Sequence, residues 1–231
     1  MNLGEYIGAG SGTTKLLLHL NGNSTDSSGN GNNGTVNGAT VTTNGKFGSC
    51  YDFDGTNDEI VCPSVSLTGN FTISIWVNPD ALPATDVIMS LIAKYDVVSS
   101  NNTGYDCRLR NDSGIQYVDI FLGTGFATFT GLYYQASLPT SNWSNLLWVY
   151  NGSTIKLYLN GTEVASINNT ANPANNTKQT YIGSFGHYTP TGTHLGRWFN
   201  GRADEIIIEN RAWTASEIKK YYTNSKGRFH L

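Results

Sequence analysis

Residues 26–34 read Asp-Ser-Ser-Gly-Asn-Gly-Asn-Asn-Gly, which puts one carboxylate, three side-chain amides and three glycines into one loop. Glycine opens the backbone to positive φ. Asp and Asn tolerate that region while bonding their own main chain, so the segment can fold tightly and turn several oxygens toward one point. A hard cation asks for this arrangement. Calcium takes about six to eight oxygens from carboxylates, amide carbonyls and main-chain carbonyls, so the loop would need one further acid from elsewhere. Asn and Gly are also the ordinary residues of a solvated turn, the other reading of the same composition.

A second chemistry is carried by rings. A sugar presents CH faces that stack on aromatic side chains, while amides and hydroxyls nearby fix its hydroxyl groups. Tyr133, Tyr134, His187, Tyr188 and Trp198 are the candidates for such a platform. Each also suits a strand or its packing, because Tyr and Trp are favoured strand residues. The serines lack a nucleophile-elbow sequence, and His19, His187, His194 and His230 show no zinc-hydrolase spacing.

These residues need strands to hold them. Residues 15–20 (KLLLHL) form the first apolar run, followed by the Asn/Gly loop, a β-branched strand over 35–41, and two segments, 46–54 and 58–62, that read as a hairpin around Gly55. Residues 71–77 (FTISIWV) alternate with period two, placing Phe71, Ile73, Ile75 and Val77 on one face. Further strands are expected at 87–95, 105–110, 115–122 and 126–134, the last three joined by short Gly-containing turns as an antiparallel meander. Asn151-Gly152 and Asn160-Gly161 each sit between alternating hydrophobic runs, the strongest local hairpin signal. Strands at 178–183 and 197–209 complete the set. The one helix comes last, where Thr214-Ala215-Ser216-Glu217 forms a capping box before Ile218, Tyr221 and Tyr222, and it is expected to lie as a lid on the sandwich edge.

About a dozen short strands and one terminal helix define an all-β fold: two antiparallel sheets packed face to face, with one short C-terminal helix. A length of 231 residues fits one such domain, taken as 15–223 between an N-terminal arm (1–14) and a C-terminal tail (224–231). If residues 54 and 58 pair across the turn, Cys50 and Cys62 face each other on neighbouring strands, compatible with a disulfide or with a reduced buried pair. Cys107 is then a small core residue. A net charge of -3 without a basic run gives no footprint for nucleic acid, and no apolar stretch is long enough to insert in a membrane. Residues 1–14 do not read as a secretory signal. The sequons at Asn23, Asn70, Asn101 and Asn142 follow from turn composition as readily as from glycosylation.

The ordered series DSSGNGNNGT, GKFG, FDGTNDEIVCP, FTISIWVNP, TIKLYLNGTEV, YIGS and FNGRADEIIIENRAWTASEI resembles the laminin-G-like branch of the concanavalin A-like lectin/glucanase jelly rolls. The resemblance implies a jelly-roll sandwich acting as a binding or adhesion module, with a structural calcium near its edge. It implies that Asp26 and Asp204 approach one ion, with Asn30 and Asn32 adding side-chain carbonyls. The glucanase branch uses acids at alternate strand positions, with nucleophile and acid/base roughly 5 Å apart. Here Glu205-Ile206-Ile207-Ile208-Glu209 keeps the outer two and has Ile207 at the centre, so no catalysis is expected.

The expected function is therefore non-catalytic recognition of a glycan or a surface protein, outside the cell or on a virion surface. The alternative is a phage structural or decoration protein that meets other virion proteins through its terminal arms. A glycoside hydrolase is the third reading.

Overall fold

A computed structural model describes residues 12–98, 101–125, 129–186 and 196–226. Among these residues fifteen strands form two antiparallel sheets. The first sheet contains β1 (Thr14–Leu18), β3 (Thr40–Gly45), β4 (Gly48–Asp54), β6 (Phe71–Pro79), β11 (Ser144–Tyr150), β12 (Thr154–Leu159), β13 (Thr162–Asn168) and β15 (Asn200–Glu209). Its order is β13-β12-β11-β6-β15-β4-β3, with β1 also paired to β15. The second contains β2 (Thr35–Asn37), β5 (Glu59–Cys62), β7 (Ile88–Val98), β8 (Asn101–Asp112), β9 (Ile115–Thr124), β10 (Phe129–Gln135) and β14 (Thr180–Ile182), in the order β10-β9-β8-β7-β14-β5-β2. This is the expected jelly-roll sandwich.

Period-two patterning explains the core. Phe71, Ile73, Ile75 and Val77 of β6 face inward, as do Leu146, Trp148 and Tyr150 of β11, and they meet Tyr105, Cys107 and Leu109 of β8 and Val118, Ile120 and Leu122 of β9. The meander β7-β8-β9-β10 and both Asn-Gly hairpins form as read from the sequence.

Two expectations fail for one reason, that the chain changes sheets more often than its local pattern reveals. Residues 35–41 are not one strand: Gly38 (φ 79°) breaks them, sending β2 to the second sheet and β3 to the first. A side chain at Gly38 would also collide with the Asp58 carboxylate. Likewise β4 and β5 are not a hairpin. Cys50 lies opposite Thr42 and Cys62 opposite Thr180, in different sheets, and all three cysteines are free and buried.

Helix α1 (Ala215–Lys226) begins on its capping box, with Glu217 N donating to Thr214 Oγ1 (3.2 Å) and Thr214 N donating to Glu217 Oε2 (2.7 Å). It does not sit on the edge. Ile218 and Tyr221, with Trp213 just before the helix, pack against Leu17, Leu147, Val149, Tyr158 and Ile207 on the outer face of the first sheet. Tyr222 stacks on Trp76 of β6 (centroids 5.8 Å apart). The outer face of the second sheet carries no helix among the described residues. No helix of the described residues is long and apolar enough to cross a membrane.

Candidate functional site

The Asp/Asn/Gly loop lies along β1, which has a strand neighbour, β15, on one side only. Asp26 Oδ1 accepts from Leu17 N (3.1 Å) and Ser28 N (2.9 Å), and Oδ2 accepts from Ser28 Oγ (2.8 Å) and Asn32 N (2.9 Å). The Asn30 amide donates to Thr14 O (2.7 Å), the Asn32 amide to Lys15 O (2.8 Å), and Ser27 N to Leu17 O (2.8 Å). The residue types follow from this: amide NH2 groups meet the free carbonyls of β1 and a carboxylate meets its free N–H, so the loop substitutes for a missing strand.

A carboxylate has about four lone-pair sites, and four donors fill those of Asp26. A calcium ion there would have to displace them. Asp204 is held elsewhere, by Phe47 N on Oδ2 (3.0 Å) and Glu205 N on Oδ1 (2.9 Å), and it shares none of these partners with Asp26. Among the described residues no group of three His, Cys, Asp or Glu is placed to hold a metal. As they stand, the residues do not fit the ion.

Glu205 and Ile206 form a bulge in β15 against β6, directly after Asp204, with Glu205 at φ 48°. Glu205 faces His19 (Nδ1 to Oε2 3.0 Å), and that hydrogen bond outweighs burial to raise the imidazole pKa. Burial first, then the neighbouring Glu205 charge, pushes Asp204 up to about 8 against the backbone N–H groups it accepts. Glu209 accepts from Thr13 Oγ1 (2.7 Å), Arg211 Nε (3.1 Å) and Trp213 Nε1, beneath the segment leading into α1. The acids at 205 and 209 take part in structural hydrogen bonds and ion pairs on the helix side.

The aromatic candidates separate. Tyr134 turns inward against the core, whereas Tyr133 points outward and is 45% exposed. A Cβ built on Gly131 would lie 2.8 Å from Tyr133 Oη, so the ring lies back across its own strand. Trp198 lines a cleft of about 420 Å³ with Asp86, Met89 and Arg197. His187 and Tyr188 lie outside the described residues.

Around Tyr133 the structure assembles residues that were not expected as a site. On the outer face of the second sheet, β8 contributes Asp106, Arg108 and Arg110, and β9 contributes Tyr117, Asp119 and Phe121, with Arg108, Asp119 and Tyr133 in one cross-strand row. Arg110 Nε bonds Asp119 Oδ2 (2.7 Å) and its Nη1 bonds Asp112 (2.7 Å). Arg108 lies between Asp106 (3.5 Å) and Asp119 (3.6 Å), and Arg197 reaches Asp106 (3.2 Å). Each guanidinium also faces rings: Arg108 over Phe121 (4.7 Å), Arg110 over Tyr117 (4.4 Å) and Tyr133 (5.5 Å), Arg197 over Phe185 (4.0 Å).

Burial raises the Asp119 pKa despite its two arginines and lowers that of Arg197 despite Asp106. The network is not saturated. Asp106 Oδ1, Asp119 Oδ1, Arg108 Nε and Tyr95 Oη are buried without a hydrogen-bond partner. Unfilled valences in a buried ion network are costly, and an ordered water or a ligand hydroxyl can supply the missing partner. The signal was present in the sequence: YDCRLR and IQYVDIFL set charges and rings at alternate positions on consecutive strands.

Fold and site together define a jelly-roll sandwich closed by a helix on one side. The chain belongs to the Concanavalin A-like lectin/glucanases superfamily, whose family model matches residues 53–219. The binding domain of Paraclostridial Mosquitocidal Protein 1 is similar in fold (TM-score 0.69, 17% identity, 92% of this chain and 52% of that one). So are domain 4 of AbnA, an extracellular arabinanase from Geobacillus stearothermophilus solved with arabinotriose (TM-score 0.64, 18%, 91% and 98%), and the botulinum neurotoxin serotype D ligand binding domain solved with N-acetylneuraminic acid (0.67, 16%, 92% and 51%). The chain spans about half the length of the toxin domains. A search of curated protein sequences gave no match.

Proposed function

We propose that the chain is a non-catalytic glycan-binding module acting outside the cell, with its binding face on the outer side of the second sheet around Tyr133, Arg110 and Tyr117. The observation that carries this reading is the juxtaposition there of the exposed Tyr133 ring and the half-buried Tyr117 ring with an Arg/Asp network that still has unfilled hydrogen-bonding capacity. Rings stack on the CH face of a sugar, and hydroxyl groups both donate and accept, so a carbohydrate meets both needs at once. The family and the glycan-bound relatives in the same fold support it. The opposite face is taken up by α1, and the late-strand acids are spent on His19, Arg211 and Trp213.

Glycan arrays followed by calorimetry on the best hit test it. Tyr133→Ala is expected to weaken binding about tenfold, the scale of one lost aromatic contact, with no glycan hydrolysed by the wild type. Trp198→Ala is expected to change affinity less than about twofold, because its cleft meets the Arg/Asp network only through Arg197 and does not include Tyr133. Loss on Trp198→Ala with Tyr133→Ala silent would move the site to that cleft.

A further inference from the structure

We infer that the ligand of this face is an uncharged polyol, a neutral glycan segment presenting adjacent hydroxyl groups; this rests on the glycan-binding reading above. Charge is the first consideration. Arg108, Arg110 and Arg197 are matched by Asp106, Asp119 and Asp112, each guanidinium within 3.6 Å of a carboxylate. Among the described residues of this face no guanidinium is left unmatched for an acidic sugar.

The unfilled valences decide the rest. Asp106 Oδ1 and Asp119 Oδ1 accept only, Arg108 Nε donates only, and Tyr95 Oη does either. An anionic ligand would bring acceptor oxygens toward two unpartnered carboxylate oxygens, adding repulsion and filling neither. A cationic ligand would supply donors, but it would bring a further positive charge beside Arg108 and Arg110, whose guanidiniums already lie over Phe121, Tyr117 and Tyr133. A hydroxyl that donates to Asp119 or Asp106 while its neighbour accepts from Arg108 leaves no group unsatisfied. Neutral vicinal hydroxyls have that donor and acceptor pattern, and Tyr133 offers the adjacent ring.

The test uses the full chain on a glycan array carrying neutral pentose and hexose oligosaccharides beside uronate, sialylated, sulfated and glucosamine series, with hits repeated from low to high sodium chloride. Binding confined to the neutral series, changing less than about twofold with salt, is the expected result, because no net ion pair forms for salt to screen. Asp119→Asn, which leaves guanidinium charge unmatched, is expected to gain uronate or sialyl binding that salt weakens about tenfold or more. Should that variant fail to fold, the more exposed Asp112→Asn is expected to show the same gain to a smaller degree. Wild-type binding confined to an acidic or an amino-sugar series, through Tyr133, overturns the inference and leaves the glycan-binding reading intact. Binding of no glycan in any series removes the reading beneath it as well.

Discussion

Replacing Asp26 with alanine is expected to destabilise the fold by about 3 kcal/mol, the scale of charge-assisted hydrogen bonds lost together with a buried donor left unpaired. The carboxylate is 8% exposed and accepts four hydrogen bonds, three of them from main-chain N–H groups. Ser28 N and Asn32 N can turn to water once it is gone. Leu17 N lies in a buried bond on the open side of β1 and cannot. For a domain of this size the loss corresponds to roughly 6–12 °C in Tm. Because the loop is held by hydrogen bonds, the loss is expected to be equal in excess EDTA and in excess calcium, as read by thermal melts of both proteins. A wild type stabilised by calcium, with the gain abolished in Asp26→Ala, would make Asp26 a metal ligand instead.

The second large effect is a pH dependence centred on Asp204. An acid whose folded pKa stands at about 8, against about 3.8 when exposed, holds its proton more tightly in the folded state. Below about 3.8 both states are protonated and burial carries no penalty. Between about 3.8 and 8 only the unfolded state releases the proton, so stability falls as pH rises, by up to about 1.4 kcal/mol per unit. His19, raised by its Glu205 hydrogen bond, acts in the same direction: its contribution is complete below about 6.5 and is lost as pH rises through the folded value. Glu163 and Glu217, lowered in the fold, oppose this only on the acid side, where their contributions are lost as they protonate. Tm is therefore expected to fall from about pH 5 to pH 8.5. In Asp204→Asn the fall should be much shallower, leaving the variant the more stable protein at pH 8.5 by on the order of 2 kcal/mol. Melts that fall equally steeply in both proteins would show that Asp204 is ionised in the fold at neutral pH.

What the sequence makes legible is local. Strand alternation in FTISIWV gives the inward face of β6, Asn-Gly gives both hairpins, and Thr214 with Glu217 gives the helix start, because each depends on residues a few positions apart. Sheet membership is a different matter. The run 35–41 looks continuous, yet its two halves serve opposite sheets, and Cys50 and Cys62 are parted in the same way, because partner choice is set by non-local packing. The Asn/Gly loop shows why composition alone misleads. Its oxygens and amides suit a cation or an unpaired strand edge equally well, and only the placement of β1 at such an edge discriminates. The ring and ion-pair face was readable as charges alternating with Cys107, Leu109, Val118 and Ile120, but alternation assigns a face without saying that α1 would cover the other sheet.

Where a bound oligosaccharide sits is the most direct measurement of the central claim, and a crystal structure of the full chain with its best array hit makes it. The predicted result is a sugar ring over Tyr133 with its hydroxyls toward Asp119, Asp106 and Arg108, and no change at the Asp26 loop. Density for the sugar in the Trp198 cleft, or on the helix-covered face beside Glu205, would contradict the account.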